Sequence, residues 1–382
     1  MPIQIQSAEI QTQIFIAILV LAILIGVARR KESISLDVQT SNELKGVGIL
    51  MVVFAHIGYF LVSDHRFLFP ISVGGGIGVN LFFFLSGYGL TISSLRNKLS
   101  ILDFYKKRII KLFIPMWMIL ILFFTLDFFI LNRGYSLIEI IQSFLGYFPK
   151  ASLIYNVNSP LWFITPILFY YFIFPLIFNK KYLSLVAVLL MGSTYLLLFS
   201  PFIRDLLVNN NLVAGDVLRL YKTHFIAFPL GIITADLATN NSYTRSLWTA
   251  MASRFRNHLN LVTLFRIITI ILAAYITGYT AIYSGVGKPE LIEQNISMIT
   301  TISIIYLFSF NFFRFRLLGL LGIFSYEIYL LHWPILSRFD LLYKNFPPAI
   351  ATVLYLVLFL ILGYLLDKIS NLASNIFSQK KG

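Results

Sequence analysis

Apolar runs long enough to cross a lipid bilayer recur along the whole of this chain, and they decide what it can become. A hydrocarbon core is about 30 Å thick, and a helix needs about 20 apolar residues to span it. No water inside that core satisfies backbone N–H and C=O groups, so each run must close its hydrogen bonds internally as a helix. Residues 12–28, 45–62, 74–93, 112–132, 160–178, 182–200, 222–238, 260–283, 293–313, 317–338 and 348–367 fit this description. The expected fold is all-α, a polytopic integral membrane protein with about eleven transmembrane helices.

Composition agrees. Only 12% of the 382 residues are charged and 58% are hydrophobic, where soluble domains carry roughly 25% charge. No polar stretch is long enough for a separate soluble domain. Residues 1–41 read as an N-terminal helix with a basic linker, 42–370 as one transmembrane domain, and 371–382 as a short basic tail. The chain has no cysteine, which excludes a thiolate nucleophile, disulfides and cysteine–metal sites.

A net charge of +14 would suit nucleic acid, but its distribution points to topology instead. Positive residues concentrate in alternate loops, as cytoplasmic loops retain Lys and Arg. The first apolar run has only Glu9 upstream and ends at Arg29-Arg30-Lys31. It therefore reads as an uncleaved helix with its N-terminus outside, not as a signal peptide. Lys45, Arg96, Lys98, the Lys106–Lys111 cluster, Lys180, Lys181, Arg245, Arg254, Arg256, Arg314, Arg316, Lys368, Lys380 and Lys381 then fall on the cytoplasmic side, as does the C-terminus. Loops near 133–158 and 201–221 are the longest external segments, available to an extracytoplasmic substrate or serving as plain connectors.

The most unusual stretch runs from Lys45 to Tyr88, where two apolar segments carry a lysine, a histidine, an asparagine and a serine. Lys45 and His56 are three helical turns plus about 20° apart, so they share a face. The rise is about 16 Å, which places His56 near mid-membrane when Lys45 sits at the boundary. Ionisable groups at that depth mark function by default, although a lone histidine also serves as a hydrogen-bonded packing residue. Gly46, Gly48, Ala55 and Gly58 surround it, and small residues admit a close neighbour. Neutral imidazole is suited to taking a proton from a hydroxyl near neutral pH.

The remaining polar residues carry two readings each. The Gly74–Gly78 run lacks the strand and the Gly-Lys-Ser/Thr of a phosphate loop. Asn80, Ser86, Tyr88, Trp162, Tyr329 and His332 are candidate substrate or oxyanion ligands, of which Asn80 and Ser86 could equally hydrogen-bond across helices. Lys107, Arg108 and Lys111 anchor a cytoplasmic loop and also form the best site for a polyphosphate ligand. Trp162 sits at a helix mouth, a common place for an interfacial anchor. Ser325, Tyr329 and His332 share a helix face, Glu327 points away from His332 and wants a basic partner, and His332 reads as structural. A transporter or flippase of lipid-linked sugars, with His56 and Glu327 as a proton relay, is the competing function. A glycan polymerase would want larger external loops.

Five segments in order resemble the acyltransferase 3 family of membrane acyltransferases. They are Leu44-Lys45-Gly46 with ten residues between the lysine and His56; residues 76–88 (Gly-Ile-Gly-Val-Asn-Leu-Phe-Phe-Phe-Leu-Ser-Gly-Tyr); residues 105–115 (Tyr-Lys-Lys-Arg-Ile-Ile-Lys-Leu-Phe-Ile-Pro); Pro160-Leu-Trp-Phe163; and residues 324–332 (Phe-Ser-Tyr-Glu-Ile-Tyr-Leu-Leu-His). The resemblance implies a multi-pass enzyme of the bacterial inner membrane. Its reaction would move an acyl group, usually acetyl from acetyl-CoA, onto a hydroxyl of a surface polysaccharide or lipid-linked sugar, without a metal. It implies His56 as general base or acyl carrier, Lys45 as its basic partner, and Arg108, Lys111 and Lys107 as the CoA-binding cations. Asn80 stands where many members carry an acid. No esterase-like domain follows the helices, so a domain finishing the transfer would belong to a partner glycan-assembly protein or be unnecessary.

Overall fold

The computed structural model describes residues 3–30, 36–97, 100–152, 156–239, 259–283 and 289–378. Lys31, Lys98, Arg245, Arg254, Arg256, Lys380 and Lys381, assigned above to cytoplasmic segments, lie outside the described residues. Helix α1 (Ala8–Ile25) runs into a short strand, β1 (Val27–Arg29). Helix α2 (Val38–Ala55) starts at Asp37, whose carboxylate accepts from the Thr40 N–H at 2.7 Å and satisfies one of the free amides of the first turn. It continues through a π-helical turn, His56–Leu61. Next come α3 (Gly75–Arg96), α4 (Ile101–Leu131) and α5 (Leu137–Phe144), the last opened by a reciprocal Ser136–Glu139 cap. A 3₁₀ turn, Ser159–Phe163, leads into α6 (Ile164–Ile177). There follow α7 (Leu183–Phe199), α8 (Pro201–Asn209), α9 (Gly215–His224), α10 (Ala227–Thr239), α11 (Leu259–Tyr283) and α12 (Glu290–Phe310). Strand β2 (Phe313–Phe315), α13 (Arg316–Ile323), α14 (Ser325–Arg338), α15 (Leu342–Asn345) and α16 (Pro348–Ser378) complete the order.

Eight of these helices are long and apolar enough to cross a membrane, or ten if each bent pair counts as one span, among the described residues. The difference from eleven has three local causes. The run at 182–200 continues into α8 through a 60° bend, and the run at 317–338 breaks by 76° between α13 and α14. The span expected at 222–238 is divided between the end of α9 and the 13-residue α10. Outward faces carry apolar side chains such as Phe129, Leu185, Leu196, Ile271 and Leu272, all exposed. In water such belts would aggregate, whereas in a bilayer they meet lipid.

Helix α2 is the hub, packed against α3 and α13 and touching α12 and α14. Glycines allow this. A Cβ on Gly46 would collide with the Leu318 carbonyl of α13, and one on Gly322 would collide with the Asn42 carbonyl of α2. Small residues at a membrane helix crossing let the backbones approach, so dispersion contacts replace the missing hydrophobic drive.

Strands β1 and β2 pair antiparallel, Val27 opposite Phe315, and tie the end of α1 to the α12–α13 junction. Arg30 donates to the Phe308 and Ser309 carbonyls, each at 2.9 Å, and Arg266 donates to those of Phe310 and Asn311 at 2.6 and 2.8 Å. Two guanidinium groups thus satisfy the last carbonyls of α12 and oppose its dipole. Arg314 donates to Asp37 and, at 2.7 Å, to Thr40. The start of α2 is thereby fixed to the same junction.

Candidate active site

His56 sits where α2 widens into its π turn, a distortion frequent at functional sites. Its half-buried ring lies 4.9 Å from that of His332 and 5.0 Å from that of Trp333, centroid to centroid. His332 is fully buried on α14. Its Nδ1 faces the Tyr329 carbonyl at 2.8 Å and the Ile328 carbonyl at 3.2 Å, and its Nε2 faces His56 Nδ1 at 2.9 Å.

These partners fix the protons. A carbonyl oxygen can only accept, so His332 carries its hydrogen on Nδ1. In a neutral ring Nε2 is then an acceptor, so His56 Nδ1 must donate. The remaining nitrogen of His56, Nε2, keeps its lone pair. His332 therefore sets the His56 tautomer and orientation, as a second group does for a catalytic base.

The neighbourhood holds α14 in place. Tyr329 donates its hydroxyl to the Pro160 carbonyl, and Asn158 donates to the Leu330 carbonyl at 2.8 Å. The 3₁₀ turn carrying Pro160-Leu-Trp-Phe163 is thus strapped along α14. Beyond the π turn, Arg66 bonds Asp64 and pairs with Glu9 at 3.3 Å. The hydrogen bonds from Arg66 hold the exposed Asp64 carboxyl down to about 2.

At the other end of the same two helices lies a charged cluster. Lys45 interacts electrostatically with Lys111, Arg108 and Glu327. Glu327, buried on α14, feels Asp367 as well as Lys111 and Lys45. Arg108 is half-buried, its guanidinium 5.7 Å from the Phe104 ring and 5.9 Å from that of Tyr171, while Lys107 and Lys111 are exposed. Tyr326 donates to the Leu112 carbonyl at 2.6 Å and clamps α14 to α4 here. The basic groups whose charge reaches Glu327 are Lys111 and Lys45, from two different helices. Lys45 to His56 along α2 and Glu327 to His332 along α14 mark the same direction, from the cations to the imidazoles.

The other candidates fall elsewhere. Asn80 accepts from His224 Nδ1 at 2.7 Å and donates to Ser297 Oγ at 3.2 Å. Trp162 stacks on His224 with 5.9 Å between centroids, and Phe83 stacks on it at 6.4 Å. Ser86 and Tyr88 are half-buried further along α3, and Tyr88 stacks on Phe84 and senses Arg96 and Asp37 at the cationic end. Glycines at the start of α3 run between the two histidine neighbourhoods: a Cβ on Gly75 would meet Ala55, and one on Gly76 would lie 3.5 Å from His224 Cε1.

Sequence reasoning missed His224, hidden in the Leu-Tyr-Lys-Thr-His stretch assigned to a span boundary. It also missed Asp127 on α4. That carboxylate is fully buried, lies 3.1 Å from Arg338 Nε and accepts from Tyr135 at 2.5 Å. Arg338 also donates to the Val157 carbonyl at 2.7 Å. A carboxylate inside an apolar run was the signal, because such a group requires a partner.

Fold and site together define a polytopic helical membrane protein with an imidazole pair between its central helix α2 and α14, and a cation cluster towards the other end of the same two helices. The profile of the acyltransferase 3 family, described as an acyltransferase domain, matches residues 42–368. The chain belongs to that family and is a membrane acyltransferase. No curated protein and no solved structure matches it.

Proposed function

We propose that this protein is an O-acyltransferase of the bacterial inner membrane, moving acetyl from acetyl-CoA to a hydroxyl of a surface polysaccharide or lipid-linked sugar. The observation that carries the reading is the 2.9 Å bond between His332 Nε2 and His56 Nδ1, which leaves the His56 Nε2 lone pair for chemistry. The Lys45 end faces the cytoplasm, where CoA is made, and the N-terminus lies outside. Arg108, Lys111, Lys107 and Lys45 hold the CoA phosphates, Arg by its planar fork and Lys as point charges. The pantetheine arm then runs along α2 towards His56, a path of about 16 Å for the eleven residues from Lys45.

His56 Nε2 takes the proton of the acceptor hydroxyl as its oxygen attacks the thioester carbonyl. The positive charge that develops on the imidazole is shared with His332 through the Nδ1–H bond. When the tetrahedral adduct collapses, the carbon–sulfur bond breaks and the same proton passes to the thiolate. The products are an O-acyl sugar and free CoA. Glycan-assembly proteins would take the modified product onward.

The test is transfer of label from radiolabelled acetyl-CoA in membranes containing native glycan, with wild type or His56→Ala at matched protein levels. Label in glycan with the wild type alone is the expected result. Equal labelling by both would remove His56 from the reaction. No labelling by either would refute this donor–acceptor pair and turn attention to sugar translocation.

A further inference from the structure

Beside His56 lies a hydrogen-bond donor that the steps above do not use. Trp333 is 2% exposed, its ring centre is 5.0 Å from that of His56, and its indole Nε1–H is buried with no hydrogen-bond partner among the described residues. Indole nitrogen is a donor only. Buried donors are paired in the great majority of cases, and an unpaired one inside a membrane protein has no water to fall back on. Trp333 is also the immediate neighbour of His332 on α14, so the helix that fixes the tautomer of the base also fixes this donor. Its flanks are held, since His332 bonds back to Ile328 and Tyr329 and Ser337 Oγ bonds to the Trp333 carbonyl at 2.7 Å. The side chain is therefore pre-positioned, and its missing partner is an acceptor atom that arrives with substrate.

We infer that Trp333 is a catalytic residue whose indole N–H binds the thioester carbonyl oxygen and stabilises the oxyanion formed on acyl transfer. The inference rests on the acyl-transfer reading of the His56 site and adds to it the group that receives the negative charge. As the acceptor oxygen bonds to the carbonyl carbon, the C=O π pair moves onto oxygen and the Trp333 N–H bond to it shortens. When the pair returns, the carbon–sulfur bond breaks and the proton held by His56 goes to sulfur. A donor aimed at developing charge in a water-poor site is worth far more than the same bond in water. Trp333 supplies it without ionising, which suits the interior of a membrane.

Two replacements remove the N–H: Trp333→Phe, and incorporation at position 333 of 3-benzothienylalanine, which keeps the bicyclic shape with sulfur in place of N–H. The expected result is a fall in kcat of about 10²-fold for the isostere, with KM for acetyl-CoA within about twofold of wild type. A second readout does not depend on turnover. A trifluoromethyl ketone analogue of acetyl-CoA, which presents an oxyanion-like hydrate, should lose about 10²-fold in affinity for the isostere, while CoA itself binds unchanged. The inference is overturned if wild type is active and the isostere keeps kcat within threefold, or if the isostere weakens CoA and the ketone equally. A wild type that transfers no acyl group would instead defeat the parent reading. A Trp333→Phe protein that fails to accumulate leaves the isostere to decide.

Discussion

Two histidines sit on opposite sides of the glycine-rich start of α3, and their surroundings could hardly differ more. His56 is bonded through Nδ1 to another imidazole and remains half-buried, with its second nitrogen unprotonated. His224 donates an Nδ1–H hydrogen bond to Asn80, which donates in turn to Ser297, and its ring stacks on Trp162 and on Phe83. The first arrangement prepares a lone pair for a visitor. The second uses a histidine as a flat polar spacer that joins α9 to α3 and, through Asn80, to α12. Residue type does not separate a reactive histidine from a structural one, but the direction of its hydrogen bonds does.

Four experiments bear on this contrast. His56→Ala should cut acyl transfer about 10³-fold, the scale of a lost general base, with membrane levels unchanged. The check is labelled-acetyl transfer at matched protein, and near-normal transfer would erase the distinction between the two sites. His332→Phe keeps a ring but removes the acceptor that orients His56, so kcat should fall about 10²-fold with KM for acetyl-CoA nearly constant. A rise in KM with unchanged kcat would relocate His332 to substrate binding. Arg108→Ala and Lys111→Ala should each raise KM for acetyl-CoA about tenfold, the loss of one charge-assisted phosphate contact, with little change in kcat. Titration with free CoA would show the same loss. Asn80→Leu strands the His224 N–H and should cost about 1–3 kcal/mol of stability, read as a lower thermal midpoint in detergent. Its kcat should stay within about threefold of wild type at permissive temperature, and a collapse of kcat in fully folded protein would make His224 part of the chemistry.

How much of this was legible in the sequence depends on the range of the interaction involved. Hydropathy located the spans because crossing a bilayer is a local requirement, satisfied within about 20 residues. Periodicity likewise put Lys45 and His56 on one face of α2, as both belong to one helix. The pairing of His56 with His332 joins residues 276 apart and is not readable from local spacing, which leaves His332 a substrate or oxyanion candidate with a structural reading beside it. Asn80 shows the same limit: a substrate or oxyanion candidate by sequence, it is bonded to His224, 144 residues away. The bends at 199–201 and 323–325 were invisible to a hydropathy window, which averages across them.

The 276 residues between His332 and His56 also set a schedule. At ribosomal rates of about 5–20 residues per second, His56 enters the membrane roughly 15–55 s before its partner is synthesised. Throughout that interval α2 lacks α13 beside Gly46 as well, so its closest-packed face is dressed provisionally by lipid, earlier helices or insertion machinery. The imidazole pair is consequently a late product of synthesis, possible only once α14 has been made, with about 50 residues still to follow. No nascent fragment that stops short of α14 can carry it, which keeps half-made copies chemically silent.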